Sequence, residues 1–365
     1  MNTRKRRLCY NTSVKNSILH MMDIRKEGIL LEPTELDFER HGVLNPSCVQ
    51  DGKNVHLFYR AVREGNYSSI GHARLDGPMN VVERSIVPVL EPSEPYDVHG
   101  VEDPRVVLFE GVYYMFHTAY DGNNARVALA TSEDMKTWTK KGIVSADVTY
   151  EDAEKLFRKA KLKDAYQMFS AYLQHRHGQT DKPIHLWDKD AFIFPERIEG
   201  KIFFVHRILP DIQYALIDSV EQLSDQEWWR EQLGQMDKNV LMENTYWFEN
   251  RNIGAGGPPI KTKHGWLMIF HSVQSQNSGK AYSAAAALLD LKNPSIVIAR
   301  TKEPLFVPEE DWELNGDVDN VVFPTGNAVF DGRLYMYYGA ADSRIAVASV
   351  EVEELLHELL SRWTV

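Results

Sequence analysis

Cysteine is nearly absent from this chain: Cys9 and Cys48 are the two among 365 residues. They lie far apart and neither sits at a metal-ligand or disulfide-framework spacing, so a structural role for both and a reduced compartment are predicted. The histidines, among them His56, His72, His99, His117, His206, His264 and His271, are scattered without an H-E-x-x-H, and no dedicated metal site is expected. Neither GxxxxGKS/T nor GxGxxG occurs, and the GAGG at 254–257 substitutes for neither, which removes nucleotide binding. No G-x-S-x-G elbow supports acyl-enzyme chemistry. Positive charge is short as well: 41 Lys and Arg stand against 52 Asp and Glu, a formal net charge of -11, which argues against a phosphate-backbone binder. No run of roughly 18 apolar residues is found. The basic start MNTRKRRLCYNTSVKNS leads into no apolar core of signal-peptide length. Neither nucleic acid nor membrane is therefore an expected partner, and the expected location is cytoplasmic.

What the chain does have is aromatic strand sequence. It carries 8 Trp, 16 Tyr and 15 Phe in a 43% hydrophobic composition that can bury a large core. The aromatics sit in short runs such as VYYMFHTAY and RLYMYYGAA, which suit strands. A pattern repeats five times: a short apolar strand, a two-residue turn, then an aromatic strand. The turns are Asp51-Gly52, Glu110-Gly111, Glu199-Gly200, His264-Gly265 and Asp331-Gly332. Repeats of about 40 to 50 residues mark propeller blades. The reading is all-β, a single five-bladed β-propeller domain over 1–365, whose inner strands converge on a central channel. A helical insertion at about 150–178 interrupts the repeat, with apolar Leu156, Phe157, Ala160, Met168, Phe169, Tyr172 and Leu173. SDQEWWREQLGQM and the C-terminal EVEELLHELLSRW read as further helices on the outside.

Several residues at strand ends carry chemistry. Asp103 lies in HGVEDPRVVLF before Pro104, where the chain must be extended, and Glu102 and Arg105 flank it. One carboxylate held protonated beside another paired with a cation is how acid catalysis at neutral pH is prepared; a structural Asp103–Arg105 ion pair is the competing reading. KDAFIFPERIEGKIFFVHR puts Lys189, Asp190, His206 and Arg207 on neighbouring strands, and Lys261 and His271 lie on one hairpin. Cations from different units suit phosphate, although each alone reads as a solvated strand end. Asp342, with Tyr337 and Tyr338 before it, fits sugar hydroxyls or a turn equally well.

Together the stretches GVEDPRV, ARVALATSEDMKTW, KDAFIFPERIEGKIFFVHR, IGAGGPPIKTKHGWLMIFH, ALLDLKNPSIVIAR and NVVFPTGNAVFDGRLYMYYGAAD resemble glycoside hydrolase family 130, the mannoside phosphorylases and β-mannosidases. The resemblance runs from about Asn45 to Asp342. It implies a five-bladed propeller and an inverting reaction at a β-mannoside. Asp103 would be the proton donor, acting through a hydroxyl of the bound mannose, while inorganic phosphate attacks from the opposite face to give α-mannose 1-phosphate. The phosphate pocket would use Arg126, Lys261 and His271 with Lys189 and Arg207. Asn45, Arg60 and Asp342 would meet the mannose, with Tyr338 beside Asp342. The expected substrate is a manno-oligosaccharide or mannosyl-glucose, with phosphate as co-substrate and no cofactor, in a homo-oligomer. The alternatives are a β-mannosidase using water, with Glu102, Glu243 or Glu249 as base, and a non-catalytic carbohydrate-binding propeller. Two features depart from the family pattern: HSVQSQNSGKAYSAAAALLDL follows the pocket histidine, and the insertion from Glu151 to Gly178 is extra.

Overall fold

The computed structural model describes residues 22–177, 183–277 and 279–361. Its strands form five successive four-stranded antiparallel units. The first comprises Gly42–Asp51, Asn54–Arg63, Tyr67–Asp76 and Asn80–Arg84. The second comprises Gly100–Phe109, Val112–Tyr120, Ala125–Ser132 and Thr139–Ile143. One parallel bridge, Ser68 to Gly100, joins these two into a single sheet. The third runs Lys189–Ile193, Ile202–Arg207, Ile212–Ile217 and Val240–Met242. The fourth runs Asn252–Ala255, Trp266–Gln276, Gly279–Leu289 and Val297–Arg300, with Ile260–Lys261 added to its second strand. The fifth takes Val322–Phe330, Arg333–Ala340 and Arg344–Glu351, and its outer strand is the N-terminal Arg25–Leu31. The mostly β reading therefore holds. Among the described residues no sheet closes on itself, and no helix is long and apolar enough to cross a membrane.

The turns form for the reason their residues suggest. Glu110 and Gly111, Glu199 and Gly200, and Asp331 and Gly332 all have positive φ. That is the type I′ geometry whose twist matches the flanking strands, and glycine at the second position adopts it without a Cβ penalty.

Strands buried on both faces read as continuous apolar runs, because alternate side chains enter different cores. In WLMIF, Trp266, Met268 and Phe270 enter the cluster shared with the third unit, while Leu267 and Ile269 enter the one shared with the fifth. Each of the five apolar clusters lies between two neighbouring units. Phe58 and Met115 bridge the first and second. Phe116 and Phe204 bridge the second and third. Tyr59 and Tyr337 bridge the first and fifth.

The insertion is two helices, not one: Tyr150–Phe157, capped by the Thr149 hydroxyl on the Asp152 amide, and Ala165–His177. Gly178, the expected end, lies outside the described residues. The break frees Lys163 to reach Asp211 at 2.7 Å and Asn244 at 2.6 Å. Phe157, Tyr166 and Leu173 pack on the core between the second and third units. Met168 is 70% exposed. The other expected helices are Gln226–Leu233 and Val352–Ser361. Cys9 lies outside the described residues. Cys48 donates to the Asn327 carbonyl at 2.9 Å, and burial pushes its thiol up to about 12, so it is an unreactive core group.

Glu313 fastens the N-terminal strand. Fully buried, it accepts hydrogen bonds from Lys26, from the Tyr338 hydroxyl at 2.6 Å, and from the amides of Glu309 and Glu310 at 2.9 and 3.0 Å. Glu313→Ala is expected to cost about 3–5 kcal/mol in denaturant unfolding, because it leaves the Lys26 ammonium without its partner. A loss below about 1 kcal/mol would show that this carboxylate does not fasten the strand.

Candidate active site

The inner strands share a local irregularity that turns polar side chains to the centre. Asn45, Asp103 and Asp190 have φ of 49°, 47° and 54°. Each sits where the register with the second strand breaks, between Leu44 and Ser47, Glu102 and Arg105, and Lys189 and Phe192. Asn and Asp tolerate this left-handed backbone better than other residues with a Cβ, at a cost that functional sites commonly carry. In the fifth unit Ala341 and Asp342 adopt φ of 47° and 48° in the turn after Arg333–Ala340. In the fourth unit the corresponding position is glycine because its space is already filled: a Cβ on Gly254 would collide with Asp190 Oδ2 and the His271 ring.

The first four units thus contribute to one polar network, and Asp342 of the fifth lies in its field. Asp103 Oδ1 accepts from Asn45 Nδ2 at 2.7 Å and faces Arg60 Nη1 at 3.8 Å. Glu102 pairs with Arg60 Nη2 at 3.0 Å and with Lys189 Nζ at 3.5 Å. Asp190 faces Arg207 Nε at 3.0 Å, Arg105 Nη2 at 3.4 Å and His271 Nε2 at 3.8 Å. Arg105, fully buried, donates to the carbonyls of Asp103 at 2.9 Å and Pro104 at 3.2 Å, and to that of Gly256. The competing Asp103–Arg105 side-chain pair does not form, because Arg105 spends its donors on carbonyls and on Asp190.

The field divides the two central carboxylates. Burial pushes Asp103 up, but Arg60, Lys189, Arg105 and the Asn45 amide outweigh it and hold the carboxyl below its ordinary value. Asp342 goes the other way, up to about 6. Burial is the main cause; Arg60 and Lys189 pull it down, Asp103 and Asp317 push it up, and the balance leaves it raised. Burial presses His271 down to about 3, so its ring is neutral. Asp103 is therefore ionised, and Asp342 is the carboxyl that carries a proton closest to neutrality.

Of the residues expected from sequence, the structure brings together Asn45, Arg60, Asp103, Lys189, Arg207, His271 and Asp342. His271 lies behind Asp190 and against Phe323, at 4.1 Å between rings, with no exposed surface, so it supports the pocket from below and does not line it. Three more lie outside this network. Lys261 pairs with Trp266, five residues along the strand from His271 or about 17 Å, and makes an exposed ion pair with Glu196 at 2.5 Å. Arg126 stands two strands out from the inner one, about 10 Å, paired with Asp147 at 2.9 Å. Tyr338 points into the core between the fourth and fifth units and spends its hydroxyl on Glu313.

Of the candidate bases for a hydrolase, Glu249 is buried in an ion pair with Arg300, Glu243 is exposed beside Lys163 at 3.5 Å, and Glu102 alone is central. Two central residues, Asp190 and Arg105, were named from the sequence but given no role in the site. The available signal was position, since Asp190 occupies in its inner strand the place that Asn45 and Asp103 occupy before Pro46 and Pro104. A cleft of about 790 Å³ between the outer parts of the second and third units, lined by Tyr114, Asp134 and Glu221, contains none of these residues.

The family model for glycoside hydrolase family 130, described as β-1,4-mannooligosaccharide phosphorylase, matches residues 20–361. A 1,2-β-oligomannan phosphorylase of Thermoanaerobacter sp. is 34% identical over 348 residues, 93% of this chain and 99% of that protein. A β-1,4-mannooligosaccharide phosphorylase of Ruminococcus albus is 32% identical over 182 residues, 49% of this chain and 52% of its own length. Among solved structures, a β-1,2-mannobiose phosphorylase from Listeria innocua in complex with β-1,2-mannobiose superposes with a TM-score of 0.68 at 23% identity. It covers 93% of this chain and 99% of its own.

Proposed function

The chain belongs to glycoside hydrolase family 130, and on that premise we propose that it cleaves β-mannosides with inorganic phosphate, inverting the anomeric centre to release α-mannose 1-phosphate. The substrate class is β-1,2-linked oligomannosides. Support for that linkage is the match to a β-1,2-acting relative over nearly both full lengths, against about half for the β-1,4-acting one. We read the five units as blades of a closed five-bladed propeller. Supporting this, the apolar clusters include one between last and first units, and Thr325 donates to the Pro46 carbonyl at 2.8 Å across that seam.

The observation that carries the reading is the convergence of Asp103, on left-handed backbone, with Arg60, Lys189 and Arg207 from neighbouring units. Lys189 and Arg207 are directly paired across two strands of the third unit and suit a phosphate dianion. The cations that hold Asp103 ionised would then be shared with phosphate. With their field neutralised, the Asp103 carboxyl rises towards the range a proton donor needs. Asp103 passes its proton through a mannose hydroxyl to the leaving oxygen as phosphate bonds to the anomeric carbon from the other face. The proton released from the attacking hydrogen phosphate restores Asp103, so charge and protons balance over the cycle. Glu102, the central candidate for activating water, is held between two cations, and this favours phosphate over water as nucleophile.

The test is incubation of the purified protein with β-1,2-mannobiose, with and without inorganic phosphate, resolving mannose from mannose 1-phosphate. Phosphate-dependent mannose 1-phosphate is expected. Mannose released at the same rate without phosphate would refute phosphorolysis.

A further inference from the structure

A second group of cations lies beside the reaction centre. Arg251 precedes the inner strand Asn252–Ala255 and is three residues, about 10 Å of extended chain, from Gly254 beneath Asp190. Its guanidinium lies over two rings of the inserted helix, 5.4 Å from the centroid of Phe169 and 5.4 Å from that of Tyr172. Arg176, one turn further along that helix, donates to the Tyr172 hydroxyl at 3.1 Å. Lys280, near the start of Gly279–Leu289, completes the group. Its ammonium is held below its ordinary value, first by burial and then by Arg251 and Arg176. The same strand carries Tyr282, whose phenol lies in the field of Asp342, Arg207 and Asp190 of the centre and of Arg251 as well. Tyr282 is therefore close enough to both groups of charges to feel each.

These cations differ from those of the centre. Arg60, Lys189, Arg105 and Arg207 each face a carboxylate. Among the described residues Arg176, Arg251 and Lys280 have no carboxylate in ion-pair range, and the charges acting on Lys280 are the two arginines and the Tyr172 phenol. In a chain of net charge -11, gathering three like charges without a counter-ion is unfavourable unless an anion completes the group. Stacking also fixes Arg251, so little side-chain freedom remains to be lost on binding.

We propose that Arg251, Lys280 and Arg176 form a second anion site, built by the helical insertion against the fourth unit, that takes a phosphoryl group. Its occupant is either inorganic phosphate approaching the centre or the phosphate of a sugar phosphate. The physiological meaning rests on the phosphorolysis reading, whereas the binding itself does not. Cations placed there raise the local concentration of a dianion and supply charge-assisted hydrogen bonds.

Calorimetric titration tests this with two ligands, inorganic phosphate and mannose 1-phosphate. The proteins are the wild type, Arg251→Gln/Lys280→Gln, Lys280→Arg, and Arg176→Gln on the exposed face of the helix. The double variant is expected to bind at least about tenfold more weakly, the loss of one charge-assisted contact or more. Arg176→Gln should weaken binding in the same direction, and Lys280→Arg should retain it. Weakening towards inorganic phosphate identifies free phosphate as the occupant; weakening confined to mannose 1-phosphate identifies a sugar phosphate. Unchanged binding of both ligands in the double variant and in Arg176→Gln overturns the proposal. If the enzyme instead releases mannose without phosphate, the phosphorolysis reading fails, while a calorimetric loss in these variants still upholds the site.

Discussion

Asp103→Asn is expected to lower turnover of a β-mannoside by about 10³-fold, the scale of a lost general acid, while substrate binding changes little. The amide keeps the size of the carboxyl and its oxygen still accepts from Asn45 Nδ2, so the left-handed backbone at this position is undisturbed. Arg60 keeps Glu102 at 3.0 Å and is not left unpaired. A second readout separates chemistry from damage. Asp103 is one of the charges that raise Asp342, so its neutralisation lowers the Asp342 titration in the variant, which carbon-detected NMR of the carboxyl can follow. A turnover loss below tenfold would remove Asp103 from the donor role and pass it to Asp342, the carboxyl that holds a proton nearest neutrality.

That assignment rests on a residue legible in the sequence, and the reasons why others were not are physical. Turn chemistry and short aromatic or apolar runs are local, so the five units could be read directly, down to the Glu-Gly and Asp-Gly pairs that adopt positive φ. The outer strand of the fifth unit could not, because Arg25–Leu31 pairs with Ile345–Ser349 from the far end of the chain and RKEGILL carries no mark of that partner. Within the site, Asn45 and Asp103 precede prolines and Arg60 follows the aromatic pair Phe58-Tyr59 in its strand, all features of local sequence. Asp190 and Arg105 matter through what they join: one carboxylate faces Arg105, Arg207 and His271 from three units. A sequence names the strand a cation occupies but not which end of it reaches the centre, and Lys261 and Arg126 show the consequence by standing outside the central network. Tyr338 turns away from the centre because both faces of its strand are buried: Tyr337 enters the core shared with the first unit and Tyr338 the one shared with the fourth.

The second large effect concerns stability, and its sign is unusual for a substitution at an active site. Asp342 has a folded value near 6 against an ordinary carboxylate value of 3.8. Between those two values the folded chain holds a proton that the unfolded chain has released, so stability falls as pH rises through this window, and above about pH 6 the penalty is complete. Removing the charge removes the penalty. Asp342→Asn is therefore expected to unfold at higher denaturant concentration than the wild type at pH 8 and at the same concentration below pH 4. A shift of this size corresponds to about 3 kcal/mol at full burial; Asp342 is only partly buried, and screening by water leaves about 1–2 kcal/mol. The same variant is expected to lose mannoside turnover, because a carboxyl kept in an unfavourable field beside Asp103 and Arg60 is retained for what it does to the substrate and not for the fold. Equal stabilisation at pH 4 and pH 8 would mean that packing, not ionisation, separates the two chains. A loss at pH 8 would mean that Asp342 is ionised and favourably paired, and the division of roles between the two central carboxylates would have to be reversed.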